Sequence, residues 1–298
     1  MRPLEGITIL DLTRLLPGAV ATLILQRAGA IVLKIEPPGT GDPARNIPSV
    51  FQATNAGKKN ITLNLKDPVD REKLLCLSEA ADVLVEGNRP GVMERLDLDF
   101  NVLEQRNPRL IYATLTGYPR EGPDASRAGH DLNYLAMAGV LTPPYIPTVQ
   151  IADIAGGSLP LVQNILLALL ERHRTGRGSR VDINMTDGLD PLLILPKAYA
   201  LDGKPSPLTG RYPCYNLYRC SCGAWIAVGA LELKFWRNLC NTISRPDLID
   251  RQFSEAALDE VRSVFASRPA SHWLALTEAL DCCVTPVRDL VPSPATPF

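Results

Sequence analysis

Short runs of apolar and β-branched residues alternate with helical patterns along most of this chain. Strands are predicted at about 7–12, 31–35, 61–65, 82–85, 110–115 and 180–185, with helical patterns between most of them. Strands that alternate with helices are typical of βαβ units, which build a parallel sheet covered by helices. Residues 1–200 are therefore predicted to form a large α/β domain.

The periodicity stops in a segment rich in proline and glycine, at about 201–210. Such a segment is a good candidate for a domain boundary. After it the sequence predicts a β-hairpin at about 214–229 and three amphipathic helices near 231–243, 254–266 and 271–280. We expect residues 201–298 to form a smaller α+β domain.

Charge and cysteine content exclude several classes of function. The 31 lysines and arginines are balanced by 32 acidic residues, so there is no basic excess for binding nucleic acid. The seven cysteines show no C-x-x-C spacing, which favours a reducing compartment, and only three histidines could complete a metal site. The longest apolar run, 159–170, is shorter than the roughly 20 residues that span a bilayer. We expect a cytoplasmic protein without a bound metal or a membrane segment.

Basic side chains recur near the predicted carboxyl ends of the strands. Open α/β sheets bind ligands at that edge, so a phosphorylated ligand is one interpretation and a solvated surface is the other. Neither a G-x-G-x-x-G nor a G-x-x-x-x-G-K-[ST] motif is present, which disfavours a nicotinamide or nucleoside triphosphate enzyme. The basic residues concerned are Lys34, Arg45, Lys58, Lys59, Arg89 and Arg95.

Two helix-opening segments each carry a group that can transfer protons. His130 precedes a predicted helix, and Asp153 precedes a Gly-Gly pair and a long helix. Each residue has an ordinary structural alternative, because His130 could make a common helix-start hydrogen bond and Asp153 could be an N-cap. The same position of Asp153 would also place backbone N–H groups beside a ligand oxygen. Glu232 opens a later helix and could interact with its dipole.

Together these segments resemble the family III CoA-transferase superfamily, of the CaiB/BaiF type, and within it most closely the α-methylacyl-CoA racemases. The resemblance includes Gly-His-Asp-Leu-Asn-Tyr at 129–134 and Ala-Asp-Ile-Ala-Gly-Gly at 152–157. It extends over nearly the whole chain, through residues 6–18, 56–66, 89–96, 107–112, 171–178 and 228–232.

The resemblance implies a Rossmann-like large domain, a smaller domain and an interlocked homodimer. It also implies an acyl-CoA thioester as ligand, contacted by the basic residues Lys34, Lys58, Arg89 and Arg95. Coenzyme A would then be part of the substrate, and no separate cofactor is expected. Relatives of this kind continue past the point that corresponds to residue 298, so altered assembly or activity is a further expectation.

For a racemase, the resemblance implies that His130 and Asp153 face the thioester α-carbon from opposite sides. Glu232 would support His130, and Asp131, the neighbour of His130, would assist the same histidine. The backbone N–H of Asp153 would bind the enolate oxygen. The transferases of the superfamily instead use the aspartate that matches Asp153 as a nucleophile. A third possibility is an inactive homologue that only binds acyl-CoA.

Overall fold

The computed structural model describes residues 2–289 and divides into two compact units after Ile194. The first unit contains a six-stranded sheet in which all neighbouring strands are parallel. The sheet confirms the α/β prediction, and its strand order is β3-β2-β1-β4-β5-β6. The strands are β1 (Thr8–Asp11), β2 (Ile31–Glu36), β3 (Lys59–Thr62), β4 (Val83–Glu86), β5 (Ile111–Thr116) and β6 (Arg180–Asn184).

Helices connect these strands and cover both faces of the sheet. Its central strands are buried on both sides, as Ile9, Leu10, Val83 and Leu84 show, which explains their continuous apolar runs. The helices are α1 (Leu15–Arg27), α2 (Pro48–Asn55), α3 (Pro68–Ala80), α4 (Val92–Arg95), α5 (Phe100–Arg106), α6 (Asp131–Ala138) and α7 (Leu159–Thr175). A π-helix (Ala152–Ser158) leads directly into α7, and 3₁₀ turns occupy Pro43–Asn46 and Asp187–Leu193.

The start of α3 shows how local sequence determines an element boundary. The carboxylate of Asp67 accepts hydrogen bonds from the N–H groups of Val69 and Asp70, and Pro68 occupies the first turn. Proline suits this position because its missing N–H would have no partner inside the helix. The sequence prediction of this N-cap is confirmed.

A cluster of buried charges lies beneath the loop that joins β1 to α1. Asp11 and Lys58 form an ion pair of 3.2 Å, with both side chains fully buried. Lys34, also fully buried, lies 2.9 Å from the carboxylate of Asp42. Burial would raise the pKa of Asp11, but the two ammonium groups and the hydroxyls of Thr13 and Thr22 outweigh it and hold that pKa below its ordinary value.

The second unit contains a three-stranded antiparallel sheet. Its strands, in the order β7-β8-β9, are β7 (Tyr215–Arg219), β8 (Trp225–Gly229) and β9 (Val284–Pro286). The helices are α8 (Ile194–Leu201), which begins at the division, α9 (Leu233–Thr242), α10 (Leu258–Ala266) and α11 (Ala270–Thr277). Tyr218, Trp236 and Phe265 form the centre of its core. Residues 290–298 of the predicted smaller domain lie outside the described residues.

Removing one partner of the buried pair should destabilise the fold strongly. Lys58→Met leaves the carboxylate of Asp11 without its closest cation, and such a change typically costs about 3–5 kcal/mol. Lys59→Met, at the exposed neighbouring position, is the matched control and should change little. Urea unfolding followed by circular dichroism measures both. Equal stabilities of the two variants would contradict a structural role for this pair.

Candidate active site

His130 lies at the N-cap of α6, at the end of the loop that follows β5. Its backbone is extended, and its N–H donates to Oδ1 of Asn133 at 3.1 Å. Tyr134 stabilises the preceding turn. Its hydroxyl donates to the carbonyl of Gly129 at 2.6 Å, and its ring packs edge-on against Tyr118. These contacts hold the backbone of His130 while its side chain stays exposed at a pocket.

Asp153 lies within the π-helix, which packs closely against neighbouring segments. Gly156 packs so closely that a Cβ atom there would lie 2.4 Å from the carbonyl oxygen of Met185. The hydroxyl of Ser158 donates to the carbonyl oxygens of Pro17, at 2.6 Å, and of Asp153, at 3.1 Å. Single π-helical turns within helices are frequent at functional sites.

The structure resolves the two interpretations of Asp153. The helix has already begun at Asp153, because the N-cap of the π-helix is Ile151, so the capping interpretation is wrong and the carboxylate lies in the first turn. Its backbone N–H, expected to be free for a ligand, donates to Oδ1 of Asp131 at 2.9 Å. This hydrogen bond joins α6 to the π-helix.

His130 and Asp153 line the same pocket, which has a volume of about 820 Å³. All the residues around this pocket belong to the first unit. Burial, with the neighbouring charge of Asp131 adding to it, raises the pKa of Asp153 to about 6, while His130 opposes the shift. A carboxylic acid with this pKa can exchange a proton near neutral pH, as general acid–base chemistry requires.

Cationic side chains line this pocket and a second one that adjoins it. Arg89 lies in the larger pocket, while Lys66 and Arg95 line the second, of about 260 Å³. Arg14 and Asn88 line both, so the two pockets adjoin at these residues. Within residues 2–289, none of these four cations forms an ion pair. The site can therefore hold a long ligand that carries negative charge.

Three predicted site residues lie elsewhere. Lys34 and Lys58 line neither pocket, because their ammonium groups are buried in the ion pairs with Asp42 and Asp11. Glu232 is the N-cap residue of α9 in the second unit, so its pairing with His130 stays a prediction.

Glu86 is a buried residue that the sequence did not single out. It closes β4, and its carboxylate accepts the N–H of Asn88 at 2.6 Å and lies 3.3 Å from Arg120. Burial raises the pKa of Glu86. The residue thus links the loop that carries Arg89 to the loop that leads to His130. A charged residue at the end of the apolar run Val-Leu-Val was the signal that could have identified it.

Comparisons with known proteins agree on one family. The family model of CoA-transferase family III matches residues 4–293. The human alpha-methylacyl-CoA racemase (Homo sapiens) is 35% identical over 302 residues, which is 95% of this chain and 77% of the relative. The acetyl-CoA:oxalate CoA-transferase of Acetobacter aceti is 33% identical over 97% of this chain and 81% of its own. The crystal structure of Rv3272 from Mycobacterium tuberculosis superposes with a TM-score of 0.86 at 34% identity, covering 97% of this chain and 84% of that one.

The raised pKa of Asp153 has a consequence for stability. Because the folded protein binds this proton more tightly than the unfolded chain, the carboxyl lowers stability increasingly as the pH rises from about 4 to 6. Asp153→Asn should therefore gain stability over this range, reaching about 1 kcal/mol at pH 7 once solvent exposure is allowed for. Urea unfolding at pH 4 and pH 7 measures the gain. A gain that is the same at both pH values would contradict the assignment.

Proposed function

This chain belongs to CoA-transferase family III, and from that premise we propose that it is an α-methylacyl-CoA racemase. The observation that carries the proposal is that His130 and Asp153 line one pocket. Inversion at a carbon by a two-base mechanism needs one group to remove a proton and a second group to donate a different proton to the opposite face. Two titratable side chains on separate elements around one cavity meet that requirement.

The proposed reaction begins with a proton next to the thioester carbonyl. The thioester acidifies this C–H bond, and either Asp153 as carboxylate or His130 as neutral imidazole removes the proton, depending on the epimer. The other group, in its protonated form, then donates a proton to the opposite face of the enolate. General acid–base catalysis of this kind contributes about 10²–10⁴ in rate for each group.

The enolate oxygen needs hydrogen-bond donors, and the N–H of Asp153 is the proposed one. In this structure it donates to Asp131, so the substrate oxygen would have to replace that carboxylate. Loss of one such donor typically costs about 10²–10³ in rate. Asp131 thereby holds the amide in place until the substrate binds.

The same proposal assigns the CoA part of the substrate to the cationic pockets. Arg89 and Arg95 would contact the pantetheine and nucleotide phosphates, together with Arg14 and Lys66. CoA would be part of the substrate, without a separate cofactor. The buried lysines, Lys34 and Lys58, would act indirectly by holding the loops in place.

A CoA-transferase is the second candidate, because relatives with that name are similar at nearly the same identity. The carboxylate of Asp153 would attack the thioester carbonyl, the CoA thiolate would leave, and an acyl-aspartyl anhydride would form. Hydroxylamine would trap this anhydride at Asp153. An acyl-CoA binder without activity would give neither trapping nor proton exchange.

Single-base variants test the racemase proposal directly. In D₂O, His130→Gln should exchange the α-proton only of the epimer whose proton faces Asp153, and Asp153→Asn only of the other epimer. Neither variant should racemise, because each lacks the second base, with losses of at least about 10². NMR of each 2-methylacyl-CoA epimer measures the exchange. Exchange of both epimers by both variants would contradict the assignment of His130 and Asp153.

A homodimer is also part of the proposal. The segment Ala152–Thr175 is long and apolar enough to cross a membrane by length and composition alone, yet it packs against α1 and the sheet. Its outer side exposes Leu159, Leu166, Leu167 and Leu170. Exposed apolar patches of this kind mark interaction surfaces, and a second copy of the chain would cover this one.

The dimer is tested by charging this helix face. Leu167→Glu combined with Leu170→Glu should convert a dimer into a monomer, because burying two carboxylates costs more than association gains. Light scattering after size exclusion measures the mass, with Val69→Glu on α3 as the control. A monomeric wild type, or wild-type protein that binds lipid vesicles through this helix, would contradict the proposal.

A further inference from the structure

The pocket that holds His130 and Asp153 is lined by chemically different groups of residues. Polar and charged residues include these two and Arg89. A second group is apolar, and we call it the aliphatic wall. It comprises Leu15, Leu16, Pro43, Ala44, Ile47 and Val50, which come from the first turn of α1 and from the stretch between the 3₁₀ turn at Pro43 and the first turn of α2.

The aliphatic wall exposes large side chains that a ligand could cover. Leu15 is 43% exposed, Ile47 57% and Val50 38%, and all three converge on this one pocket. Apolar surface in contact with water is unfavourable, and removing it from water is the main source of affinity in ligand pockets. The wall therefore suits an apolar group attached close to the reacting carbon.

A buried carboxylate connects the two segments of the wall. Oδ1 of Asp42 accepts the N–H groups of Leu15, at 3.1 Å, and Ala44, at 2.9 Å, while Lys34 lies 2.9 Å from Oδ2. Leu15 has a left-handed backbone with φ of 60°, a conformation that is unfavourable for leucine. Residues in such conformations persist only where their surroundings enforce them, and they cluster at ligand sites.

Several cations near this wall are already paired with carboxylates, including Arg127, which lines the pocket and lies 3.0 Å from Asp124. Arg45 donates to both carboxylate oxygens of Glu36, at 2.8 and 2.6 Å, and its guanidinium lies 3.9 Å from the ring centre of Phe51. Lys34 forms a buried ion pair with Asp42. A second carboxylate at the far end of an acyl group would therefore find no partner on the wall. Arg14 and Arg89, the cations of this pocket without an ion pair, are assigned to phosphates above.

We propose that the aliphatic wall binds the acyl chain and restricts the substrate to uncharged aliphatic acyl-CoA thioesters, excluding dicarboxylic acyl groups. Ile47 and Val50 are its specificity-determining residues. This inference rests on the proposed function, because it takes CoA as the carrier of the acyl group.

Binding of S-alkyl-CoA thioethers tests the wall without any chemical step. Calorimetry with the whole chain should show that Kd falls about threefold to fourfold for each added methylene from S-ethyl- to S-hexyl-CoA. S-(5-carboxypentyl)-CoA should bind at least tenfold more weakly than S-hexyl-CoA. A carboxyalkyl thioether that binds as tightly as the alkyl one would overturn the proposal.

Substitutions assign the effect to the wall. Ile47→Asn and Val50→Asn, both at exposed positions, should make Kd nearly independent of chain length while leaving the Kd of CoA itself within twofold. Val69→Asn, an exposed apolar position on α3 outside this pocket, is the matched control and should keep the full chain-length dependence. Retention of that dependence in the Ile47 and Val50 variants would count against the wall.

The two proposals fail in different ways. If free CoA does not bind the wild-type protein, the proposed function fails, and the proposal that the aliphatic wall binds the acyl chain loses its premise. If CoA binds but lengthening the alkyl chain leaves Kd unchanged, the proposed role of the aliphatic wall is wrong and the proposed function stands.

Discussion

The hydrogen bond from the N–H of Asp153 to the carboxylate of Asp131 joins the two segments on which the site depends. It places the start of α6, with His130, beside the π-helix that carries Asp153. Burial raises the pKa of Asp153 to about 6, and the carboxylate of Asp131, which this bond brings close, adds to the shift. The contact thus bears on both the geometry of the proposed acid–base pair and the titration of one of its members.

Buried carboxylates hold the rest of the pocket in a similar way. Asp42 holds the first residue of α1 and the 3₁₀ turn before α2, and Glu86 links the loop of Arg89 to that of Arg120. Each of these acidic groups is buried, and each is compensated by an ammonium or guanidinium group, because an unpaired charge would be costly there. Arg14, Lys66, Arg89 and Arg95, by contrast, form no ion pair within the described residues and line the two pockets, where a ligand can reach them.

The sequence predicted the alternating architecture because hydrophobic periodicity and helix signals are local. The N-cap at Asp67 and the two segments of His130 and Asp153 were found in this way. Whether a lysine is buried depends on distant partners, so Lys34 and Lys58 could not be told apart from surface residues. The π-helix also escaped prediction, and its Gly156 packs closely against the backbone of Met185, a contact between residues distant in sequence.

Two short helices, α2 and α5, were also not predicted. Each covers only about two turns, too few for a clear apolar period. The missing prediction of α2 matters, because the first turn of this helix contributes Val50 to the aliphatic wall. The sequence indicated the candidate acid–base residues, whereas the wall in the same pocket became visible only when the starts of α1 and α2 were seen together.

The stereochemical course of the wild-type reaction tests the central claim most directly. One pure epimer of a 2-methylacyl-CoA is incubated in D₂O, and label and configuration are followed together from the first turnovers. Two bases on opposite faces predict deuterium first in the inverted epimer, with the recovered starting epimer still unlabelled. Deuterium that appears in the starting epimer as fast as in the inverted one, or no inversion at all, would contradict the account.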